Sequence, residues 1–94
     1  IEYTHAQLAF IIQKGAFFDI YRDQINTRQE KVLLRIFREG IEGFKGGLSA
    51  ENYLTITSTS RATATRDLAD LVHKKALKKT GMGKGTRYHL NLPQ

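Results

Sequence analysis

Ser60-Arg61-Ala62-Thr63-Ala64-Thr65-Arg66 puts three hydroxyls and two guanidiniums into seven residues. Ser60 is of the type that caps a helix, so Arg61, Thr63, Thr65 and Arg66 fall in the first turns of the helix that follows. Free backbone amides and the helix dipole make that end of a helix attractive to phosphate. A second basic group follows it: Lys78, Lys79, Lys84 and Arg87. The net charge of +6 (15 Lys+Arg less 9 Asp+Glu) lies wholly in residues 74–94, which contain no acid. Residues 1–73 balance nine bases with nine acids. Such asymmetry points to an anionic partner, nucleic acid or an anionic membrane. Asp67 and Asp70 argue the other way, since acids on this helix repel phosphate and cancel Arg61 and Arg66.

Other chemistries find less support. Gly83-Lys84-Gly85-Thr86 resembles part of a phosphate loop, but the Lys is followed by Gly rather than Ser or Thr, and then by a strand pattern. Glycines at a hairpin tip explain the segment. His5, His73 and His89 are scattered, and neither His5 nor His73 has a second His at helical spacing. With no cysteine, disulfides and thiolate metal sites are excluded. No set of residues suggests nucleophilic catalysis, and no cofactor is implied.

The elements that must position the basic groups can be read from periodicity and caps. A chain of 94 residues, 40% apolar and 26% charged, makes one small domain. Thr4 caps a helix to about Tyr21, with Leu8, Ile11, Ile12 and Phe18 on one side and Phe10, Phe17 and Tyr21 on another. A small domain buries only one such stripe. Thr27-Arg28-Gln29-Glu30 reads as a capping box for a second helix with Val32, Leu33, Ile36 and Phe37 inward. Arg28, Lys31, Arg35 and Arg38 fall on its solvated faces, and Gly40 supplies its stop. Residues 41–47 form a glycine-rich connector with Ile41 and Phe44 tucked inward. Ser49 caps a short helix to about Thr55, Thr57-Ser58-Thr59 turns the chain, and Ser60 caps a longer helix to about Lys75. Ala64, Leu68, Leu71 and Val72 share one side of that helix. A hairpin then pairs residues 76–80 with 86–92, where Tyr88, Leu90 and Leu92 alternate with Arg87, His89 and Asn91.

A short helix, a tight turn, a longer capped helix and a hairpin follow the order of a winged helix-turn-helix. The fold class expected is mainly α with a small β-hairpin, preceded by an extra N-terminal helix. In that motif the longer helix enters the major groove. Duplex DNA is therefore the expected partner. Ser60, Arg61, Thr63, Thr65 and Arg66 are the groove candidates, and Lys78, Lys79, Lys84 and Arg87 the wing candidates. The alternative is a winged helix kept for protein contacts or autoregulation, using the Phe10, Phe17 and Tyr21 stripe. Membrane association is poorly supported, because the basic segment has few apolar residues to insert and no stretch approaches the ~20 residues of a span. With no leader segment visible, a cytoplasmic protein is expected. A homodimer would suit a palindromic site, but nothing in the sequence requires one.

Gly43-Phe44-Lys45-Gly46-Gly47-Leu48, Tyr53, Ser60 to Leu71 and Gly81 to Leu90 together resemble the C-terminal winged helix of bacterial Fic-family proteins. Asn26-Thr27-Arg28-Gln29 and Phe17-Phe18 extend the resemblance over roughly residues 6–92, with Ser60–Leu71 its most specific part. The family often has Gly where this chain has Lys75-Ala76, and Gly-Arg-Ser-Thr where it has Gly83-Lys84-Gly85-Thr86-Arg87. The resemblance implies a regulatory or targeting module that follows a Fic domain, the domain that commonly transfers an adenylyl group from ATP to a hydroxyl. The motif for that reaction, H-P-F-x-[D/E]-G-N-G-R, is absent, so this chain is not expected to be an enzyme by itself. The chain starts at Ile, which suggests a fragment. Residues 1–25 then read as a helix leading from the upstream Fic domain, its intramolecular partner, and residues 26–94 as the winged helix.

Overall fold

The computed structural model describes residues 4–39 and 46–91. The expectations for Gly40, Ile41, Phe44 and Leu92 lie outside the described residues. Four helices, α1 (His5–Tyr21), α2 (Thr27–Arg38), α3 (Ala50–Thr57) and α4 (Arg61–His73), precede a hairpin of β1 (Leu77–Thr80) and β2 (Arg87–Leu90). The fold is mainly helical with a small antiparallel hairpin, in the order of a winged helix with one helix added in front.

Three helices begin with a reciprocal cap. Thr4 and Gln7 close α1, and Ser49 and Asn52 close α3. Helix α2 begins one residue earlier than the Thr27–Glu30 box requires. Its cap is Asn26, whose Oδ1 accepts the Gln29 amide at 2.8 Å, while Gln29 Oε1 accepts the Asn26 amide at 2.9 Å. Asn caps as well as Thr, and the earlier register carries the Gln29 side chain inward, where only 2% of the residue is exposed. Ser60 caps α4 by accepting the Thr63 amide.

The core collects Phe17 from α1, Val32, Leu33, Ile36 and Phe37 from α2, Tyr53 from α3, and Ala64, Leu68 and Leu71 from α4. Leu48, Ala76 and Leu77 complete it. Of the two stripes on α1, that of Phe10, Phe17 and Tyr21 packs, joined by Phe18 from the other. Phe10, Phe17 and Phe18 lie 5.4, 5.4 and 5.5 Å from the Phe37 ring, and Phe17 lies 4.8 Å from Tyr21. Leu8, Ile11, Ile12 and Ile20 are exposed. The protein-contact alternative therefore loses Phe10, Phe17 and Tyr21 as its surface. Rings offer more area than aliphatic side chains and pair edge to face, so the aromatic side wins the core.

Helix α4 ends at His73, two residues short of the expected Lys75. Lys75 takes a left-handed φ of 65°, its amide bonds to the Val72 carbonyl, and Ala76 bonds to the Leu71 carbonyl. This is a Schellman ending built on Lys rather than Gly. In the turn between α3 and α4, Ser58 is likewise left-handed, at φ 54°.

In the hairpin, Leu77, Lys78, Lys79 and Thr80 face Leu90, His89, Tyr88 and Arg87. Leu48 adds a bridge on the other side of β2, exchanging two 2.8 Å bonds with Tyr88. All four residues of β2 are half-buried, so the expected alternation in burial is not seen. The reason is Gly47. At φ +93° its backbone lies so close to β2 that an added Cβ would stand 2.6 Å from the His89 ring. The nominally outer side of β2 is covered there.

Candidate nucleic-acid interface

The packing decides what α4 shows to solvent. Ala64, Asp67, Leu68 and Leu71 are buried, while Ala62, Thr65, Arg66, Ala69 and His73 are exposed at helical spacing. Arg66 and Thr65 thus lie on the outward face, as expected. The small side chains beside them leave room for close approach to a groove floor.

Asp67 does not share that face, and Asp70 lies at its edge. Asp67 is 4% exposed, and its carboxylate accepts four hydrogen bonds. Tyr53 Oη donates to Oδ2 at 2.6 Å and Arg28 Nε to the same oxygen at 2.8 Å. Arg28 Nη2 and Asn26 Nδ2 donate to Oδ1 at 3.2 and 3.1 Å. Burial alone raises the pKa of this carboxyl, but the donors from Arg28, Tyr53 and Asn26 outweigh it and hold the group below the ordinary carboxylate range. The same bonds raise the Arg28 pKa, and burial with the Asp67 bond pushes the Tyr53 phenol up. Asp70 accepts from Gln29 Nε2 at 2.9 Å and pairs with Lys74 at 2.9 Å, and these contacts lower its pKa. The expected cancellation of Arg61 and Arg66 is therefore corrected for Asp67, which is buried and held by Arg28, Tyr53 and Asn26, while Asp70, its side chain 39% exposed, is paired with Gln29 and Lys74 at the flank of the helix.

Gln29 makes one more bond. Its Nε2 also donates to the Asp67 carbonyl at 3.0 Å, so one buried amide caps α2 and grips α4. Sequence reading missed these partners and placed Arg28 on a solvated face. A usable signal existed: Asp67 falls within the Ala64, Leu68, Leu71 stripe, and an acid there demands a buried donor.

The basic candidates divide by position. Arg61, Lys79, Lys84 and Arg87 line one cleft of about 650 Å³ with Ser49, Glu51, Thr86 and Tyr88. This cleft runs between the starts of α3 and α4 and the wing. Arg61 Nη2 contacts Glu51 Oε1 at 2.5 Å, and both side chains are mostly exposed. Arg87 Nη1 donates to the Lys84 and Thr86 carbonyls at 3.1 and 2.8 Å, bracing the wing turn as well as facing the cleft. Lys78 stands opposite His89 and does not line the cleft. Ser60 Oγ donates to Thr63 Oγ1 at 3.0 Å, so both hydroxyls are engaged in the cap, and Thr63 is half-buried. Lys74, part of the basic C-terminal run, bonds Asp70 and the Gln24 carbonyl.

Among the described residues no group of His, Asp and Glu is placed as metal ligands would be, and no helix is long and apolar enough to cross a membrane. His89 Nε2 lies 3.1 Å from Thr80 Oγ1. No protein-family model matches the chain, and no curated protein matches it.

Proposed function

We propose that this chain is a duplex-DNA-binding winged-helix module. The observation that carries the reading is the charge sorting on α4. Its acids are engaged by Arg28, Tyr53, Asn26, Gln29 and Lys74. Its outward face keeps Thr65 and Arg66 and adjoins a cleft with four cations. Arg66 and Thr65 meet the groove, Arg61 and the wing residues Lys79, Lys84 and Arg87 meet backbone phosphates, and Ser60 and Thr63 fix the helix start. Given the resemblance to Fic-family winged helices, the module serves to regulate or target an adenylyl-transferring domain in the cytoplasm. Titration with mixed genomic duplex DNA at two salt concentrations tests this. Neutralising roughly four to six phosphates gives a slope of about −4 to −5 in log K against log salt. An affinity flat from low to physiological salt rejects the reading.

The exposed apolar side chains Leu8, Ile11, Ile12 and Ile20 of α1 favour a second reading, a protein-contact or autoregulatory module. On that reading Arg66→Glu leaves the contact intact, and Ile12→Asp breaks it.

A further inference from the structure

Glu51 is the one acid among the described residues that line the wing cleft. It sits in the first turn of α3, and its Oε1 lies 2.5 Å from Nη2 of Arg61, the first residue of α4. We infer that Glu51 is an internal stand-in for a backbone phosphate, holding Arg61 in the free protein and setting how tightly the cleft grips DNA irrespective of sequence. The inference rests on the DNA-binding reading and deepens it.

Three observations converge on this role. First, the carboxylate lies where Arg61 faces the cations of the wing, so Glu51 and an incoming phosphate compete for one guanidinium. Second, the pair is exposed on both sides, at 65% and 70% of the side-chain area. Such a pair is worth little in stability, so breaking it costs the fold almost nothing. Third, the cleft charge falls from +4 for Arg61, Lys79, Lys84 and Arg87 to +3 with Glu51. Because phosphate contacts supply non-specific affinity, one retained negative charge weakens binding to every sequence alike and leaves base contacts by Arg66 untouched.

The test uses the chain as it stands and a mixed-sequence duplex of about 20–30 bp, two to three helical turns, with Glu51→Gln, Glu30→Gln and Arg61→Ala. Glu51→Gln should tighten binding about five-fold at low salt and steepen the salt slope by about one. Glu30→Gln removes the same charge from α2, away from the wing cleft, and should stay within about two-fold of the parent. In the Arg61→Ala background, Glu51→Gln should lose most of its gain, because the two act on one contact. Equal gains from both glutamines, or a Glu51→Gln gain that survives Arg61→Ala, overturn the inference while DNA binding stands. A parent chain that binds with the expected salt slope but is unchanged by Glu51→Gln does the same. No binding by the parent or Glu51→Gln at low salt overturns both readings.

Discussion

The Tyr53 phenol donates to Oδ2 of Asp67 across 2.6 Å, in a site where both residues are buried. This bond ties α3 to α4, and Arg28 and Asn26 extend it to the start of α2. The angle at which α4 projects is thus set by a carboxylate that two other helices hold. Removing the hydroxyl alone, in Tyr53→Phe, keeps the ring's packing and takes one donor from a buried charge. Unfolding in urea should show a loss of about 1.5–3 kcal/mol. A loss indistinguishable from zero would mean the bond is not formed in solution.

The same carboxylate gives the fold an acid sensitivity of definite sign. Asp67 and Asp70 both titrate below their ordinary value of 3.8, Asp67 because its donors outweigh the opposing effect of burial and Asp70 chiefly through Gln29 and then Lys74. A carboxyl whose folded pKa is depressed contributes its full stability above the unfolded value and loses it as pH falls toward the folded value. Urea midpoints should therefore fall as pH drops below about 4, and the fall should be shallower in Asp67→Asn. A midpoint that holds steady down to pH 2 would contradict the network.

These contacts explain where the sequence could be read and where it could not. Caps, helix order and the hairpin are local, so Ser49, Ser60 and the Val32, Leu33, Ile36, Phe37 stripe were legible. Asp67 was not, because its charge was counted without its place in the Ala64–Leu71 stripe. Its partners lie 39 and 14 residues away, at Arg28 and Tyr53. The sequence leaves the α1 stripe open for a related reason: two apolar stripes compete, and only the position of Phe37 decides between them. The shared charge of Lys79, Lys84 and Arg87 is legible in the sequence, but Arg61 reads there as a groove residue, and its place beside the wing and the separation of Lys78 depend on packing and hairpin register.

The choice of stripe on α1 can be measured. Phe17 is fully buried among Phe18, Tyr21 and Phe37, whereas Ile12 is 71% exposed. Phe17→Ala should cost about 3–5 kcal/mol through lost burial and a cavity. Ile12→Ala should change stability by less than about 0.5 kcal/mol. The reverse order would place the aliphatic side inward.

Lys75 holds a left-handed conformation at φ 65° to close α4. A side chain there costs about 1–2 kcal/mol, partly offset because Gly loses more entropy on folding. Lys75→Gly should stabilise the chain by about 0.5–1 kcal/mol. Lys75→Val, β-branched, should destabilise it, and thermal unfolding of the pair gives the comparison.

Lys78 and Lys79 are neighbours in sequence but not in surroundings. Lys79 lines the cleft with Arg61, Lys84 and Arg87, and Lys78 lies across the strand pair from His89. If the cleft takes backbone phosphate, Lys79→Ala removes one neutralised phosphate. The salt slope should then become shallower by about one, with affinity reduced on every sequence. Lys78→Ala removes the same formal charge from outside the cleft, so screening at physiological salt should leave its affinity within about two-fold of the parent. Arg66→Glu differs from both, because Arg66 stands on the outward face of α4 with Thr65. It should weaken binding across all sequences if the side chain meets phosphate, and shift sequence preference if it meets a base edge. Binding isotherms on two unrelated duplexes, each at two salt concentrations, separate these outcomes. Equal effects from Lys78→Ala and Lys79→Ala would show that overall charge, and not the cleft, governs the affinity.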